Sequence, residues 1–214
     1  MVTNVFASLA LVAAMALPTP QQLIDRSIAY HDPNGVWSTE ALQFTLEVEL
    51  ADRLAEERGY RHRHDEVMID LANEQFAHKA TFKDGRVETH GNDDRRYRDY
   101  FEYMLGLPMK LNDPGTRLAE AVEAVTFHGK EAWVVRVTYK EEVGSDIWDF
   151  YFDPETSALI ACRFFHDESI PDGEYILFEE EIEASNGLKL PKVRRWHMNV
   201  DGEWIADDVI LSLQ

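Results

Sequence analysis

The sequence predicts a mainly β protein of the α+β class: one large, curved antiparallel sheet of about ten to eleven strands forming a half-open barrel. Three observations predict it. Apolar and polar residues alternate with a period of two along most of the chain. Residues with turn chemistry separate these runs at even spacing. Two segments have helical spacing instead, and these helices are expected to cover the concave side of the sheet.

The first helix is expected over 21–30. Thr19 can cap its start, and Pro20 occupies the first helical position. The sequence His-Asp-Pro-Asn-Gly at 31–35 ends it, because Asp-Pro and Asn-Gly both favour turns. A short helix with one apolar face therefore precedes the sheet.

Four strands are expected next, at 42–50, 60–71, 75–82 and 86–90. The first alternates cleanly, which predicts one buried and one solvated face. Its apolar positions are Leu42, Phe44, Leu46, Val48 and Leu50. The sequence Lys-Asp-Gly-Arg at 83–86 predicts a hairpin turn, since glycine tolerates a positive φ.

The spacing changes to that of a helix over 94–105, which Asp93 or Asp94 can cap. Its apolar residues are Tyr97, Tyr100, Phe101, Met104 and Leu105. Gly, Pro, Asn and Asp residues after it predict a structured loop. The apolar face of this helix is expected to rest on the sheet.

The remainder of the chain is expected to be almost entirely strand. The predicted strands are 121–128, 132–141, 146–152, 158–166, 174–184, 188–200 and 204–213. Turn sequences such as Asp-Pro, Asn-Gly and Asp-Gly separate them. No linker or low-complexity stretch divides the chain, so a single domain over 17–214 is predicted.

Residues 1–16 resemble a signal peptide. Residues 5–17 read VFASLALVAAMAL, an apolar run too short to span a bilayer, and Ala14-Met15-Ala16 provides a small-x-small cleavage site. No cysteine follows for lipid attachment. We expect a periplasmic or secreted protein with no stable membrane insertion after cleavage; an uncleaved interfacial helix is the alternative.

The composition excludes several classes of function. Acidic residues number 40 and basic residues 21, a formal charge of −19, so a nucleic-acid binder or a polybasic membrane protein is not expected. A single cysteine excludes an intrachain disulfide and a cysteine-rich metal site. No cofactor motif is found, and no cofactor is predicted.

Three stretches carry a resemblance to a known family. They are AYHDPNGVW at 29–37, DYFEYMLGLPMKLNDPGTRL at 99–118, and the long carboxy-terminal run that contains YFDPETSAL and NGLKLPK. The chain resembles exported bacterial proteins of unknown function related to the outer-membrane lipoprotein-sorting and lipoprotein-carrier superfamily. The resemblance implies an unclosed barrel whose helical lids cover an apolar cavity that holds acyl chains.

The polar candidates have ordinary structural interpretations beside the functional ones. His62 and His64 share one face of a strand, the spacing of a two-histidine metal grip, but a solvated face with ion pairs is favoured. His31 and Asp32 could polarise a nucleophile, but capping of the first helix is favoured. Glu180 is expected to form a cross-strand ion pair with Lys192, Arg194 or Arg195 rather than act as a buried acid.

Cys162 is expected in the core. Aromatic and aliphatic side chains on the predicted inner faces can line a ligand cavity, and as a packed core they would have the same pattern. The candidate cavity residues are Trp37, Phe44, Leu46, Tyr97, Phe101, Trp133, Trp148 and Phe150.

Three functions remain open at this point. The favoured one is a non-catalytic carrier of an apolar or amphiphilic, lipid-like ligand, which is its expected partner. The second is an exported enzyme that uses histidine and carboxylate groups in the same concavity. The third is a structural subunit of an envelope complex, with an envelope protein as its partner.

Overall fold

A computed structural model describes residues 16–170 and 172–214. Within these residues, twelve antiparallel strands form one sheet, accompanied by three α-helices. The helices are α1 (Pro20–His31), α2 (Asp52–Arg58) and α3 (Arg95–Leu105). The strands are β1 (Ala41–Leu50), β2 (His62–Asp70), β3 (Gln75–Phe82), β4 (Val87–Gly91), β5 (Thr116–Leu118), β6 (Glu123–Phe127), β7 (Lys130–Tyr139), β8 (Ile147–Phe152), β9 (Leu159–Phe165), β10 (Glu174–Glu183), β11 (Lys189–Met198) and β12 (Trp204–Leu213).

The sheet is open. Its order is β4-β3-β2-β1-β12-β11-β10-β9-β8-β7-β5, and β6 also pairs with β7. Strand β4 lies at one edge, whereas β5 and β6 lie at the other, so the curved sheet does not close into a barrel. The predicted fold class, a half-open barrel with helices, is confirmed.

The amino-terminal and carboxy-terminal strands meet in the middle of this sheet. Strand β1 pairs with β2 on one side and with β12 on the other. This pairing joins residues far apart in the sequence, which makes the sheet continuous from β4 to β5. The two halves of the inner surface are therefore parts of one sheet.

Helices α1 and α3 were both predicted. Thr19 caps α1 as expected: its side chain accepts a hydrogen bond from the backbone N–H of Gln22, and the Gln22 side chain accepts one from the backbone N–H of Thr19. Helix α3 begins at Arg95 rather than Asp94 and ends at Leu105.

Two elements were missed. Helix α2 has no buried residue, so no apolar periodicity marks it, although Gly59 ends it in the left-handed region with φ of 72°. Strand β5 has three residues, too few to show alternation. It is the twelfth strand, beyond the expected ten to eleven.

The helices α1 and α3 pack on the same side of the sheet, here called the inner face; the opposite side is the outer face. Phe101 and Leu105 of α3 are buried in an apolar cluster with residues of β1, β2 and β3, here called cluster one. Leu23 and Ile24 of α1 are fully buried in another cluster with residues of β7, β8 and β10, here called cluster two. The two helices thus fix the inner face as the main core.

The predicted signal peptide falls almost entirely on residues 1–15, which lie outside the described residues. Over the ranges that the structure covers, no helix is both long and apolar enough to cross a membrane.

Candidate functional site on the inner face

The structure places the predicted cavity residues on the inner face, in two separate clusters. Trp37, Phe44, Leu46 and Phe101 belong to cluster one, and Tyr97 packs against it. Trp133 and Phe150 belong to cluster two, and Trp148 packs against it. Only Tyr97 and Trp148 of these residues are partly exposed; the others are buried.

Cluster one joins helix α3 to strands β1 to β3. The ring of Phe101 stacks on Phe76 with centroids 6.3 Å apart, and Trp37 meets Phe44 edge to face at 6.4 Å. Such aromatic pairs add to the free energy of apolar burial. The contacts of Phe101 therefore hold α3 on this half of the sheet.

Cluster two is built around stacked aromatic rings on β8 and β9. Trp148 stacks on Phe150 at 5.7 Å and on Phe164 at 4.7 Å. Tyr103 of α3 contacts the same tryptophan at 5.5 Å, and its hydroxyl bonds to that of Tyr139. Helix α3 therefore reaches both clusters.

A row of charged residues, which the sequence analysis did not identify, crosses the inner face between the clusters. Strand register places Val48 opposite both Arg63 and Asp208, and Asp208 opposite Arg194. Each charged member is in phase with apolar neighbours on its own strand, as Arg63 is with Val67. This period-two position in the sequence was the signal that could have indicated an inward-facing charged residue.

The β2 end of this row contains a buried ion pair. The Nε of Arg63 donates to Oδ1 of Asp65 at 2.6 Å, and Nη1 donates to the Tyr60 hydroxyl at 2.9 Å. Asp65 is fully buried, and its Oδ2 lies 3.3 Å from Nε2 of His78. The pairing compensates part of the cost of burying these charges.

His78 and His90 form the surface on which one end of α3 rests. Tyr97 stacks on His90 with centroids 3.8 Å apart and lies 5.3 Å from His78. Asp94 bonds to Nδ1 of His90 at 2.7 Å. This end of α3 therefore contacts imidazole rings rather than aliphatic side chains.

Asp208 lies at the middle of the row. Its Oδ2 accepts from the indole N–H of Trp196 at 3.0 Å and from the hydroxyl of Tyr100 at 3.3 Å. Burial raises the pKa of Asp208 despite these bonds, and it raises the pKa of Tyr100 well above its usual range. Part of the Tyr100 ring is exposed, but its hydroxyl points inward onto the carboxylate.

Arg194 lies beside Asp208 and is 1% exposed. Its Nε donates to the main-chain carbonyl of Met104 on α3 at 3.2 Å, and its Nη1 donates to that of Pro191 at 2.9 Å. Burial lowers the pKa of Arg194 to about 10, so the side chain remains charged at neutral pH. Helix α3 is thus bonded through its backbone to a buried cation.

The other polar candidates lie away from this row. His62 and His64 are partly exposed and lie near Glu49 and Glu47, at 4.0 and 2.7 Å. Among the residues with described positions, no group of three metal-ligating side chains is found.

Glu180 pairs with Lys192 at 2.7 Å, which is the expected cross-strand use. It does so from the left-handed backbone region, with φ of 54°, and its side chain is exposed rather than buried. The pairing of β10 with β11 keeps the same register on both sides of this position. Cys162 is fully buried, which raises the pKa of its thiol and makes it a core residue.

His31 and Asp32 join helix α1 to the sheet. Asp32 accepts from the backbone N–H groups of Val36 and Trp37, at 2.8 and 3.0 Å, which fixes the turn after the helix. The ring of His31 bonds to the carbonyl of Lys189 and the N–H of Leu159. Burial lowers the pKa of His31.

An open groove of about 530 Å³ lies on the outer face of β1 to β4 and β12. Outward side chains line it, including Gln43, Thr45, Glu66 and Lys79. A second groove, of about 450 Å³, lies on the outer face of β6 to β9. The candidate residues of the inner face contact one another and the helices, and of these Phe44 also borders the first groove.

The fold and this covered inner face define a class: an unclosed antiparallel half-barrel whose concave side is closed by helices. Residues 89–211, more than half of the chain, match the model described as Family of unknown function (DUF6503). The chain belongs to this family, as the sequence resemblance indicated.

Two solved structures share the fold. One is a domain from Vibrio parahaemolyticus named for outer-membrane lipoprotein sorting, with a TM-score of 0.55 and 9% identity over 91% of this chain and 92% of that chain. The other is a DUF1329 family protein from Desulfovibrio piger ATCC 29098, with a TM-score of 0.55 and 7% identity over the same shares. No curated protein sequence matches the chain significantly.

Proposed function

We propose that this protein binds an apolar or amphiphilic, lipid-like ligand on the inner face, with helix α3 as a lid. The observation that carries the proposal is the position of α3, which covers two apolar clusters of an unclosed sheet. Because α3 lies on the sheet and pairs with none of its strands, it can move without breaking strand pairing. The shared fold with a domain named for lipoprotein sorting supports the same function.

The energetics are favourable for such a ligand. Each Å² of apolar surface removed from water contributes about 25 cal/mol, reduced by the cost of ordering the ligand. A ligand that displaces α3 must also replace the contacts of Phe101 and Tyr103. A long acyl or ring system has enough surface to do so, whereas a small polar metabolite does not.

Replacing Trp148 with alanine tests the proposal. A tryptophan in a packed core costs about 3–5 kcal/mol when truncated. Trp148 is only partly buried, so we expect a smaller loss of unfolding free energy, together with weaker binding of a fluorescent fatty-acid probe. Denaturant melts and probe titrations on both proteins measure these two quantities.

Trp204 is a matched control for this experiment. It is also partly buried, but its indole bonds to Asp207 and its register places it on the outer face. Trp204→Ala should leave probe affinity unchanged. The proposal is wrong if wild type binds no probe and Trp148→Ala lowers the free energy of unfolding by the full amount expected of a packed core. The inner face would then be a solid core.

One observation favours a second candidate, an exported enzyme. Asp65 and His78 form a buried histidine–carboxylate pair on the inner face. Such a pair can transfer protons. Both groups lie beneath α3, so catalysis would also require this helix to move.

The proposed location is the periplasm or the exterior, after removal of residues 1–16; the mature domain is then 17–214. We expect amino-terminal sequencing of the exported protein to begin near Leu17, because the apolar run ends at Ala-Met-Ala. A folded product that still carries Met1 would contradict it. A partner protein of the envelope is part of the same proposal.

A further inference from the structure

Arg194 heads the large, fully buried side chains among the residues that the structure describes. Removing a guanidinium from water is costly unless its N–H groups find acceptors. Here the acceptors of its two hydrogen bonds are main-chain carbonyls, and one of them belongs to Met104 of helix α3. When α3 moves away, as the proposed function requires, that acceptor leaves with it.

No carboxylate takes its place. Within residues 16–170 and 172–214, no Asp or Glu oxygen lies within 4.0 Å of the Arg194 guanidinium. Asp208, its cross-strand neighbour, directs its Oδ2 to Trp196 and Tyr100. Arg63, at the other end of the row, is paired with Asp65. An open inner face would therefore expose a cation that Asp208 stabilises electrostatically but that forms no direct ion pair with a carboxylate.

The surroundings of Arg194 provide a path for an apolar tail. Phe178 lies directly opposite it on β10 and belongs to cluster two. The next row on the same face runs from Trp196 through Ile176 and Cys162 to Phe150. A chain that starts at Arg194 would thus lie along the apolar surface of β10 to β8.

We propose that the inner face selects an amphiphile with an anionic headgroup, a carboxylate or a phosphate, which replaces the Met104 carbonyl on Arg194. This inference rests on the proposed function and names its ligand class. A guanidinium fits both headgroups because its planar donors can bind two oxygens at once. The total charge of −19 repels such ligands only weakly, since salt at physiological strength largely screens exposed charges that lie more than about 8 Å away.

The test compares three ligands with the same C16 tail: palmitate, hexadecyl phosphate and neutral hexadecanol. Each displaces a neutral fluorescent naphthylamine dye from wild type, and the midpoints give relative affinities. We expect both anions to bind about tenfold or more tightly than hexadecanol, the range of a hydrogen bond to a charged group. A difference between the two anions identifies which headgroup is preferred.

Two variants locate the effect. Arg194→Gln keeps a donor for the Met104 carbonyl but removes the charge. The ratio of the affinity for the anions to the affinity for hexadecanol should therefore fall to about one. Arg195→Gln is the matched control: it removes an arginine one residue away that pairs with Glu179 and Asp207 at 3.0 and 3.2 Å on the outer face. This variant should keep the full preference.

The outcomes separate the two proposals. Equal binding of anions and hexadecanol by wild type, or a preference that survives in folded Arg194→Gln, would overturn the headgroup inference and leave the binding function intact. If wild type binds none of the three ligands, the binding function itself fails. The comparison of ligands on wild type alone decides the matter if Arg194→Gln does not fold.

Discussion

Replacing Phe101 with alanine is expected to release helix α3 from the sheet while the sheet stays folded. Phe101 is 3% exposed and contacts both Phe76 and His78, so its truncation removes the centre of the helix's apolar face. A buried Phe→Ala change costs about 3–5 kcal/mol. Amides of α3 should then exchange with solvent roughly two to three orders of magnitude faster, whereas those of β10 and β11 keep their protection.

Arg96→Ala is the control on the same helix, because Arg96 is exposed and belongs to the opposite face. It should leave exchange unchanged. The lid interpretation would fail if the amides of β10 and β11 accelerated as much as those of α3 in Phe101→Ala. That result would make α3 part of one cooperative core with the sheet.

Replacing His31 with alanine is expected to lower the free energy of unfolding by about 2–6 kcal/mol. The carbonyl of Lys189 only accepts, so Nδ1 of His31 carries the proton, and Nε2 accepts from the N–H of Leu159. Both hydrogen-bond partners are backbone groups shielded from water, and each of them costs about 1–3 kcal/mol when it is left without a hydrogen bond. Denaturant melts at pH 8 measure the loss, and His64→Ala, a partly exposed histidine, should cost below about 1 kcal/mol.

The same residue gives a pH dependence of known sign. Because burial lowers the pKa of His31, the unfolded chain takes up a proton before the folded one does. Its contribution to stability is complete above the unfolded pKa of about 6.5 and declines below it, by up to about 1.4 kcal/mol per pH unit. His31→Gln, which keeps a donor and an acceptor, should lose less stability between pH 8 and 5.5 than wild type. Parallel losses in the two proteins would show that another group is responsible.

Much of the fold could be predicted because its signals are local. Alternation in β1 and helical spacing in α3 each lie within about ten residues, and both elements were found within one residue of their bounds. Helix α2 could not be found in this way, since it lies on the surface and has no buried face.

The candidate site was only half predictable. The apolar residues were identified because large apolar side chains in phase on a strand are usually buried. Arg63, Asp208 and Arg194 occupy equivalent positions on the inner face, but an isolated charged residue is normally assigned to solvent. Their burial is compensated by partners that the folded chain supplies: Asp65 for Arg63, Trp196 and Tyr100 for Asp208, and the main-chain carbonyls of Met104 and Pro191 for Arg194.

The sequence by itself determined the mainly β class, the single sheet with two covering helices, the acidic surface and the lack of a disulfide. The tertiary structure decided which strands are neighbours, and so placed Phe44 and Trp148 in separate clusters and the charged row between them. It also decided that helix α3 contacts His78, Asp208 and Arg194. The physical reason is that alternation fixes the face on which a side chain lies, whereas its neighbours on that face depend on register and curvature, which no local pattern encodes.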